Sequence, residues 1–248
     1  MGRYLLEFSY DGGSFCGYQI QPNAPTVQQE LEKALSVLAQ QPIEIVGSSR
    51  TDAGVHASQQ FAHFDLLEVP ATDWVYRLNR MLPHSLAVRS IRAVPDEFHA
   101  RFDASSRTYH YLISRTKNPL YQHCSYWFEV PLDIDLMNKA AEILFEYHDF
   151  ECFSKVKTDV FTFDCSILRA HWTYHEPFLQ FTIQANRFLR GMVRAIVGTL
   201  IEVGLGKISL EEFHEIIQSK NRNKAGRAVP AHGLHLVEVA YPTLSNGE

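Results

Sequence analysis

Two predicted β-strands flank a heptapeptide that holds a single acid, Arg50-Thr51-Asp52-Ala53-Gly54-Val55-His56. Residues 43–47 and 60–65 alternate apolar and polar side chains or are rich in β-branched ones, which is typical of strands. Asp52 therefore lies in a loop that two strands carry. Gly54 can adopt a positive φ in the turn, and Arg50 can form a charge-assisted pair that keeps Asp52 ionised. The alternative is an ordinary surface turn, because the residues after Asp52 are common turn formers.

The segments around this loop predict an α+β domain at residues 1–104. A strand at 4–10 precedes a helix whose start, Thr26-Val27-Gln28-Gln29, can form a capping box. After the loop come a short helix near 73–81 and a strand near 86–94. That order of elements is the split β-α-β type.

Residues 105–248 repeat this pattern and predict a second α+β domain. Its strands and helices are expected at 107–114, 132–145, within 161–174, 178–186, 187–203 and 234–239. The fold class is therefore α+β with two similar halves. No long linker rich in proline, glycine or serine separates the halves, and their boundary is placed near Ala104.

The predicted helix at 187–203 carries arginines on the side opposite its apolar face. Arg187, Arg190 and Arg194 are spaced i, i+3 and i+7, and Asn186 is the predicted N-cap. Three guanidinium groups on one face can bind phosphate oxygens in bidentate fashion. The alternative is a solvated basic face on an amphipathic helix, which needs no ligand.

The composition is that of a globular intracellular protein, and we expect it in the cytoplasm. The chain has a formal net charge of −5 and is 46% hydrophobic. An acidic balance is not typical of an RNA-binding protein, although a local basic stripe can still bind RNA. No signal peptide is predicted, and no apolar run approaches the roughly 18 residues needed to span a membrane. No close pair of the zinc or redox type occurs among the cysteines, Cys16, Cys124, Cys152 and Cys165.

Three other motifs are set aside. Residues 204–208 resemble a phosphate-binding loop but lack its spacing and its hydroxyl residue, so a helix end and a turn are expected. His171 and His175 would share one face of a strand, but no third ligand is evident, so no metal site is predicted. Asp149 and Glu151 are adjacent acids of a kind common in loops, and nothing sets the separation that glycosidase chemistry needs.

Segments in a characteristic order along the chain carry a family resemblance. Beyond the heptapeptide they are 10–12, 15–21, 78–83, 98–104, 107–111, 185–194 and 233–239. Together they resemble the TruA family of tRNA pseudouridine synthases over nearly the whole chain. Ser49, Tyr18 and Ile20 depart from the residues usual in that family, and these departures bear on RNA affinity rather than on the chemistry.

The resemblance implies that the protein isomerises uridine to pseudouridine at positions 38–40, in the anticodon stem-loop of tRNA. It also implies a homodimer that needs no organic cofactor and no metal. Two split β-α-β halves of the ferredoxin-like or RRM-like kind would join their antiparallel sheets around a central RNA-binding cleft. Because the target uridine is stacked, the enzyme must flip it out before reaction.

The resemblance also assigns roles to residues. Asp52 would act as the nucleophile or as the base that removes a ribose proton, and both routes stay open. Arg190 would pair with Asp52, and Tyr109 would stack on the uracil or move a proton at C5. The residues expected to contact RNA are Arg50, His56, Arg187 and Arg194. For Tyr109 a core position in the sheet is an equally good interpretation, since Tyr111 lies on the same strand face.

Two other functions stay open from the sequence. One is an RNA-binding or RNA-chaperone protein that keeps the scaffold without catalysis. The other is a hydrolase or lyase that acts on a nucleoside or sugar, since such an enzyme also uses a carboxylate beside ribose. The first predicts that tRNA binding survives Asp52→Ala with no modification by either protein, and the second predicts turnover of free uridine.

Overall fold

The computed structural model describes residues 1–156 and 161–242. Those residues form two compact units, the first built from residues 1–105 and the C-terminal segment that begins at His235, the second from residues 106–234. Each unit contains both helices and paired strands, so the predicted α+β class is confirmed.

The described residues form nine strands and five α-helices. The strands are β1 (Gly2–Tyr10), β2 (Val46–Gly47), β3 (His56–Leu66), β4 (Leu86–Val94), β5 (Ser106–Ser114), β6 (Tyr126–Trp127), β7 (Ile167–His175), β8 (Phe178–Ala185) and β9 (Leu234–Ala240). The helices are α1 (Val27–Ala39), α2 (Trp74–Met81), α3 (Ile134–Ile143), α4 (Met192–Gly204) and α5 (Leu210–Gln218). None of these helices has the length and the apolar character required to cross a membrane.

The first unit is built on strand β1, which pairs antiparallel with both β3 and β4. The short strand β2 pairs with β3 directly before the Asp52 loop. Alternate side chains of β1, Leu6 and Phe8, are fully buried. Thr26 caps α1 by accepting a hydrogen bond from the Gln29 N–H at 3.4 Å, so the predicted start of that helix is confirmed.

The second unit is built on strand β8, which pairs antiparallel with β5 on one side and β7 on the other. Tyr111, Phe181 and Trp172 form one row across these strands, and all three are buried. Helix α3 packs against β7 and against α4. Nearly every residue of α4 is buried, so this helix is a core element and not a surface helix with a solvated basic face.

The helix predicted at 187–203 begins later than expected. Its first residue is Met192, and Gly191 is the N-cap residue with a φ of +72°. The predicted cap Asn186 instead pairs with Ser166, whose N–H donates to the Asn186 side-chain oxygen at 2.8 Å. Because the left-handed conformation at Gly191 interrupts the helical backbone, the helical stripe of three arginines predicted from the sequence is wrong.

The last strand has a pairing that the sequence does not predict. The strand expected at 234–239 is present as β9, and it pairs in parallel with β3, opposite His56 and Ala57. The segment from His235 therefore belongs to the first compact unit. Local periodicity identifies a strand but carries no information about a partner so distant in sequence.

Candidate active site

Asp52 lies in the loop between β2 and β3 and is half-buried. The Val55 N–H donates to the Asp52 carbonyl oxygen at 3.2 Å, which closes the turn. Gly54 has a φ of +81°, so the positive φ predicted there is confirmed. The turn therefore presents the aspartate at its first residue.

The segment from Asp11 to Tyr18 packs directly against this loop, and two glycines make the contact feasible. A Cβ on Gly12 would overlap the Val55 carbonyl group. Gly17 has a φ of +96°, and a Cβ there would lie 3.0 Å from the Thr51 carbonyl oxygen. Backbone thus meets backbone on this side of the loop, which limits how far Asp52 can move.

A buried hydrogen-bond network holds the same loop from the strand side. The Tyr10 hydroxyl donates to Gln60 Oε1 at 2.9 Å and lies 2.8 Å from Thr51 Oγ1. The Gln60 side-chain amide in turn donates to the Ser49 carbonyl oxygen at 2.8 Å. Two residues that precede Asp52, Ser49 and Thr51, are therefore held by groups from β1 and β3, which helps to pre-organise the carboxylate.

His56 is buried at the beginning of β3, with 7% of its surface exposed. Its ring stacks on His235, with centroids 4.7 Å apart. Nδ1 lies 3.0 Å from Asp11 Oδ1 and 3.2 Å from the Gly12 nitrogen, so it either donates to the carboxylate or accepts from the amide. Nε2 is buried and has no hydrogen-bond partner among the described residues. These contacts place His56 in the packing that supports the Asp52 loop.

Arg50 and Tyr18 differ from the sequence expectations. Arg50 is exposed, and in the described part of the chain it forms no ion pair with Asp52, so that predicted pairing is wrong. Tyr18 was expected to bear on RNA contact, but it is buried against Gly47 and stacks on Phe8 with centroids 6.3 Å apart. Burial raises the pKa of Tyr18 well above its usual value.

Tyr109 lies on β5 in the second unit, opposite Ile183 of β8. Its side chain is 7% exposed, and its ring meets Phe188 edge to face with centroids 5.2 Å apart. Tyr111, on the same face, donates its hydroxyl to the Pro230 carbonyl oxygen at 2.9 Å. Both tyrosines are therefore packed in the sheet, and Tyr109 is the one in contact with the segment that precedes α4.

The three arginines near α4 occupy different environments. Arg187 is half-buried and Arg190 is exposed, and both precede the helix. The Arg190 carbonyl oxygen accepts a hydrogen bond from the Lys155 N–H at 2.9 Å. Arg194 lies on α4 and donates from Nε to the Val229 carbonyl oxygen at 2.7 Å, so part of its guanidinium is committed to the fold.

The predicted site residues thus fall into two local groups. Arg50, Asp52 and His56 share one loop of the first unit. Tyr109, Arg187, Arg190 and Arg194 belong to the second unit. Sequence reasoning gave no site role to Tyr10, Asp11, Gly12, Gly17 and Gln60, although Tyr10-Asp11-Gly12 was among the segments that carry the family resemblance. In the part of the chain described by the structure, no three His, Cys, Asp or Glu side chains come together as a metal site requires.

An acid held in this way in a loop of an α+β unit is an arrangement that an enzyme using one carboxylate as nucleophile or base requires. A family model described as tRNA pseudouridine synthase matches residues 8–103 and 140–242. The chain belongs to this tRNA pseudouridine synthase family, and the resemblance inferred from the sequence is confirmed.

Curated relatives agree with the family model along almost their whole length. A tRNA pseudouridine synthase A from Parabacteroides distasonis is 50% identical over 245 residues, which cover 98% of this chain and 97% of the relative. The protein of the same name from Bacteroides fragilis is 49% identical, with 97% and 96% of the two chains covered. That from Bacillus subtilis is 44% identical, with 96% and 99% covered.

Proposed function

We propose that this protein isomerises uridine to pseudouridine in the anticodon stem-loop of tRNA, with Asp52 as the reacting carboxylate. The observation that carries the proposal is the rigid Asp52 loop, fixed by the Tyr10 and Gln60 hydrogen bonds and by the close approach of Gly12. Family membership and the names of the relatives support the same reaction on tRNA.

The chemistry requires one bond to break and one to form at the same ribose carbon. The bond from N1 of uracil to C1′ breaks, the base turns over, and C5 bonds to C1′. C5 then loses its proton and N1 gains one, so no oxidant, reductant or energy source is consumed. Asp52 either attacks C1′ or removes a ribose proton to start an elimination, and both routes need it ionised.

The other roles in this proposal rest on the family resemblance. Tyr109 stacks on the uracil ring or moves the proton at C5, and Arg190 provides the positive charge that keeps Asp52 ionised. Arg50, Arg187 and the exposed part of Arg194 contact the RNA, while His56 supports the loop. Two split β-α-β halves carry these residues, in a cytoplasmic homodimer that uses no organic cofactor and no metal.

Tritium release tests the reaction directly. A tRNA transcript labelled with 5-³H-uridine must lose its label when C5 bonds to the ribose. We expect release by the wild-type protein, and background release by Asp52→Asn, because the amide cannot act as nucleophile or base. The matched control is Asp73→Asn, since Asp73 is an exposed acid before α2 whose side chain makes no capping hydrogen bond.

Two outcomes would contradict the proposal. Label release by Asp52→Asn at the wild-type rate would remove Asp52 from the mechanism. No release by the wild-type protein on any tRNA, with binding intact, would favour an RNA-binding protein without catalysis.

A further inference from the structure

Helix α2 and the strand β4 that follows it carry four arginines and no acid. Between residues 74 and 94 the sequence contains Arg77, Arg80, Arg89 and Arg92 but neither Asp nor Glu. The whole chain has a net charge of −5, so this segment is opposite in sign to the molecule. A local concentration of positive charge in an acidic protein favours an anionic partner at this surface.

Two of these arginines share the exposed face of α2 with an aromatic ring. Arg77 and Arg80 are three residues apart, and Tyr76 lies one turn before Arg80. All three are exposed, and the exposed fraction of Tyr76 is 69%. The other face of the helix holds Trp74 and Leu78, which are buried. Helix α2 therefore presents two guanidinium groups and one aromatic ring to solvent.

The side chains of Arg77, Arg80 and Arg89 are available to a ligand. Within residues 1–156 and 161–242, none of the three forms an ion pair or a hydrogen bond. The nearest acid along the chain is Asp73, which precedes α2 one turn before Arg77 and does not pair with it. Arg92 is left out of the surface, because its guanidinium already lies over an aromatic ring at 5.8 Å. Helix α1 packs against α2, and its acids form no ion pair with these arginines either: Glu30 and Glu32.

Asn79 fixes α2 against β4, which brings the positions of Arg80 and Arg89 close in space. The Asn79 side-chain Nδ2 donates to the Val88 carbonyl oxygen, and Oδ1 accepts from the Val88 N–H, both at 2.8 Å. Arg80 and Arg89 each follow one residue of this pair directly. Arginines from two elements are thus held in one fixed arrangement on the first unit.

The turn between α2 and β4 contacts the segment that supports the Asp52 loop. The Asp11 N–H donates to the Ser85 carbonyl oxygen in this turn at 2.8 Å. Gly12, the next residue, lies against the backbone of the Asp52 loop. Arg80 is in the last turn of α2, at the end of the helix that leads to Ser85. The arginines of α2 therefore approach the segment that holds the carboxylate.

We propose that this α2 surface, formed by Tyr76, Arg77, Arg80 and Arg89, binds the ribose-phosphate backbone of the tRNA whose uridine reaches Asp52. Arginine binds phosphate oxygens through a planar fork of donors, and an exposed aromatic ring stacks on a base. The proposal rests on the proposed function, since it takes tRNA as the partner. It concerns affinity and position on the RNA and gives these residues no part in bond making.

Salt dependence of tRNA binding tests the proposal. Each lost phosphate contact makes the plot of log affinity against log salt less steep by about 0.8, so a variant that matches wild type at 1 M salt binds roughly sixfold more weakly at 0.1 M. We expect this change for Arg77→Gln and for Arg80→Gln, and about twice the change in slope for the double variant. Lys139→Gln is the matched control, because Lys139 is an exposed lysine of α3 that lies between Asp135 and Glu142 on its helix.

Arg80→Lys and thermal unfolding separate binding from folding. A cation in the last turn of a helix also interacts favourably with the helix dipole, and Arg80 occupies such a position. If that were its whole role, Arg80→Gln would lower Tm and keep the wild-type salt slope. We expect a reduced slope in Arg80→Gln and the wild-type slope in Arg80→Lys, because lysine keeps the charge. Wild-type slopes in both Arg77→Gln and Arg80→Gln would overturn the assignment of the α2 surface.

Tyr76 should contribute to affinity without contributing to the salt dependence. Tyr76→Ala removes a ring but no charge, so we expect about fivefold weaker binding of tRNA with an unchanged salt slope. Tyr76→Phe keeps the ring and should bind as the wild-type protein does. Fluorescence anisotropy with labelled tRNA measures both variants.

An anionic lipid surface is the other partner that an arginine-rich helix face fits. Cosedimentation with vesicles of phosphatidylglycerol and phosphatidylcholine tests this alternative. Vesicle binding that Arg77→Gln and Arg80→Gln abolish, with wild-type salt slopes for tRNA, would assign the α2 surface to a membrane and overturn the proposal.

Tritium release by the wild-type protein, measured in parallel, keeps the two proposals apart. If the wild-type protein releases label and the arginine variants keep its salt slope, the proposal for the α2 surface fails and the proposed function stands. If the wild-type protein binds tRNA with slopes that the arginine variants reduce but releases no label, the reaction fails and the α2 surface stands. If both proposals hold, the arginine variants release label at the wild-type rate once enzyme saturates the tRNA.

Discussion

At the scale of single residues, Gly12 lies against the Asp52 loop with no room for a side chain. A Cβ at this position would overlap the carbonyl group of Val55. We expect Gly12→Ala to displace the loop, to lower the free energy of unfolding by about 1–3 kcal/mol and to reduce tritium release from tRNA by about 100-fold. Urea unfolding and the release assay measure the two effects.

The neighbouring glycine provides the control for that prediction. A Cβ on Gly13 would meet only the Asp11 side chain, at 3.2 Å. Gly13→Ala should therefore keep its stability within about 0.5 kcal/mol of wild type and retain its activity. If Gly12→Ala and Gly13→Ala lose stability and activity equally, the segment tolerates no substitution at either position. Wild-type activity in Gly12→Ala would contradict the role of Gly12 in positioning the Asp52 loop.

The turn that carries Asp52 was easier to predict from the sequence than the residues that hold it. Asp52 and the positive φ of Gly54 follow from a strand–turn–strand pattern within one short window. The contact of Gly12 with Val55 and the hydrogen bonds of the Tyr10 hydroxyl join segments about 40 residues apart, and no local pattern encodes such packing. A glycine needed for close approach looks in sequence like any turn glycine.

At the scale of secondary-structure elements, His63 connects β3 to the segment at 98–103. Its Nδ1 accepts a hydrogen bond from the Ala100 N–H at 3.1 Å, so that nitrogen must be unprotonated. Burial, with smaller contributions from the nearby Arg3 and His99, lowers the pKa of His63 to about 4. In the unfolded chain the histidine pKa is about 6.5, so the unfolded state takes up the proton first as the pH falls.

Stability should therefore be complete above pH 6.5 and decline as the pH falls towards 4. We expect His63 to account for a loss on the order of 2–3 kcal/mol across that window. His63→Asn should remove most of this dependence, because an amide oxygen can accept the same hydrogen bond and does not titrate. Urea unfolding at pH 7, 5.5 and 4.5 measures how the free energy of unfolding depends on pH. Identical pH profiles for the wild-type protein and His63→Asn would rule out His63 as the source of this dependence.

The pKa of Asp65 is lowered by its hydrogen bond from Arg3, so Asp65 should add a further loss of stability only below about pH 4.

The predicted elements were correct where a local pattern and a cap agreed. Helix α1 combines a Thr26 cap with an apolar stripe, and it forms as predicted. Helix α4 was extended too far because its apolar period continues past Gly191 into residues that are not helical. Helix α5 was missed even though Ser209 and Glu212 form a complete capping box at its start, a signal that was available in the sequence. The pairing of β9 with β3 could not be predicted from the sequence, because it depends on the whole fold.

At the scale of the whole molecule, an acidic protein must bind a polyanion. The net charge of −5 opposes binding only through charges close enough to act on the RNA. At 0.1 M salt the screening length is about 10 Å, so most of the surface carboxylates of a chain this size are screened from an RNA strand bound at one site. The cations that lie beside the bound RNA should then govern affinity.

This reasoning predicts how pH and salt act together on tRNA binding. Between pH 7 and the isoelectric point near 6.2, the net charge rises from −5 to about zero, whereas lysine and arginine side chains stay charged. At about 0.15 M salt we expect affinity to change by less than about twofold over that range, because local charge dominates. At about 0.01 M salt the screening length grows to about 30 Å, so affinity should rise clearly as the pH falls. Fluorescence anisotropy with labelled tRNA measures both series, and a pH dependence equally steep at the two salt concentrations would assign binding to titrating histidines beside the RNA instead of fixed cations.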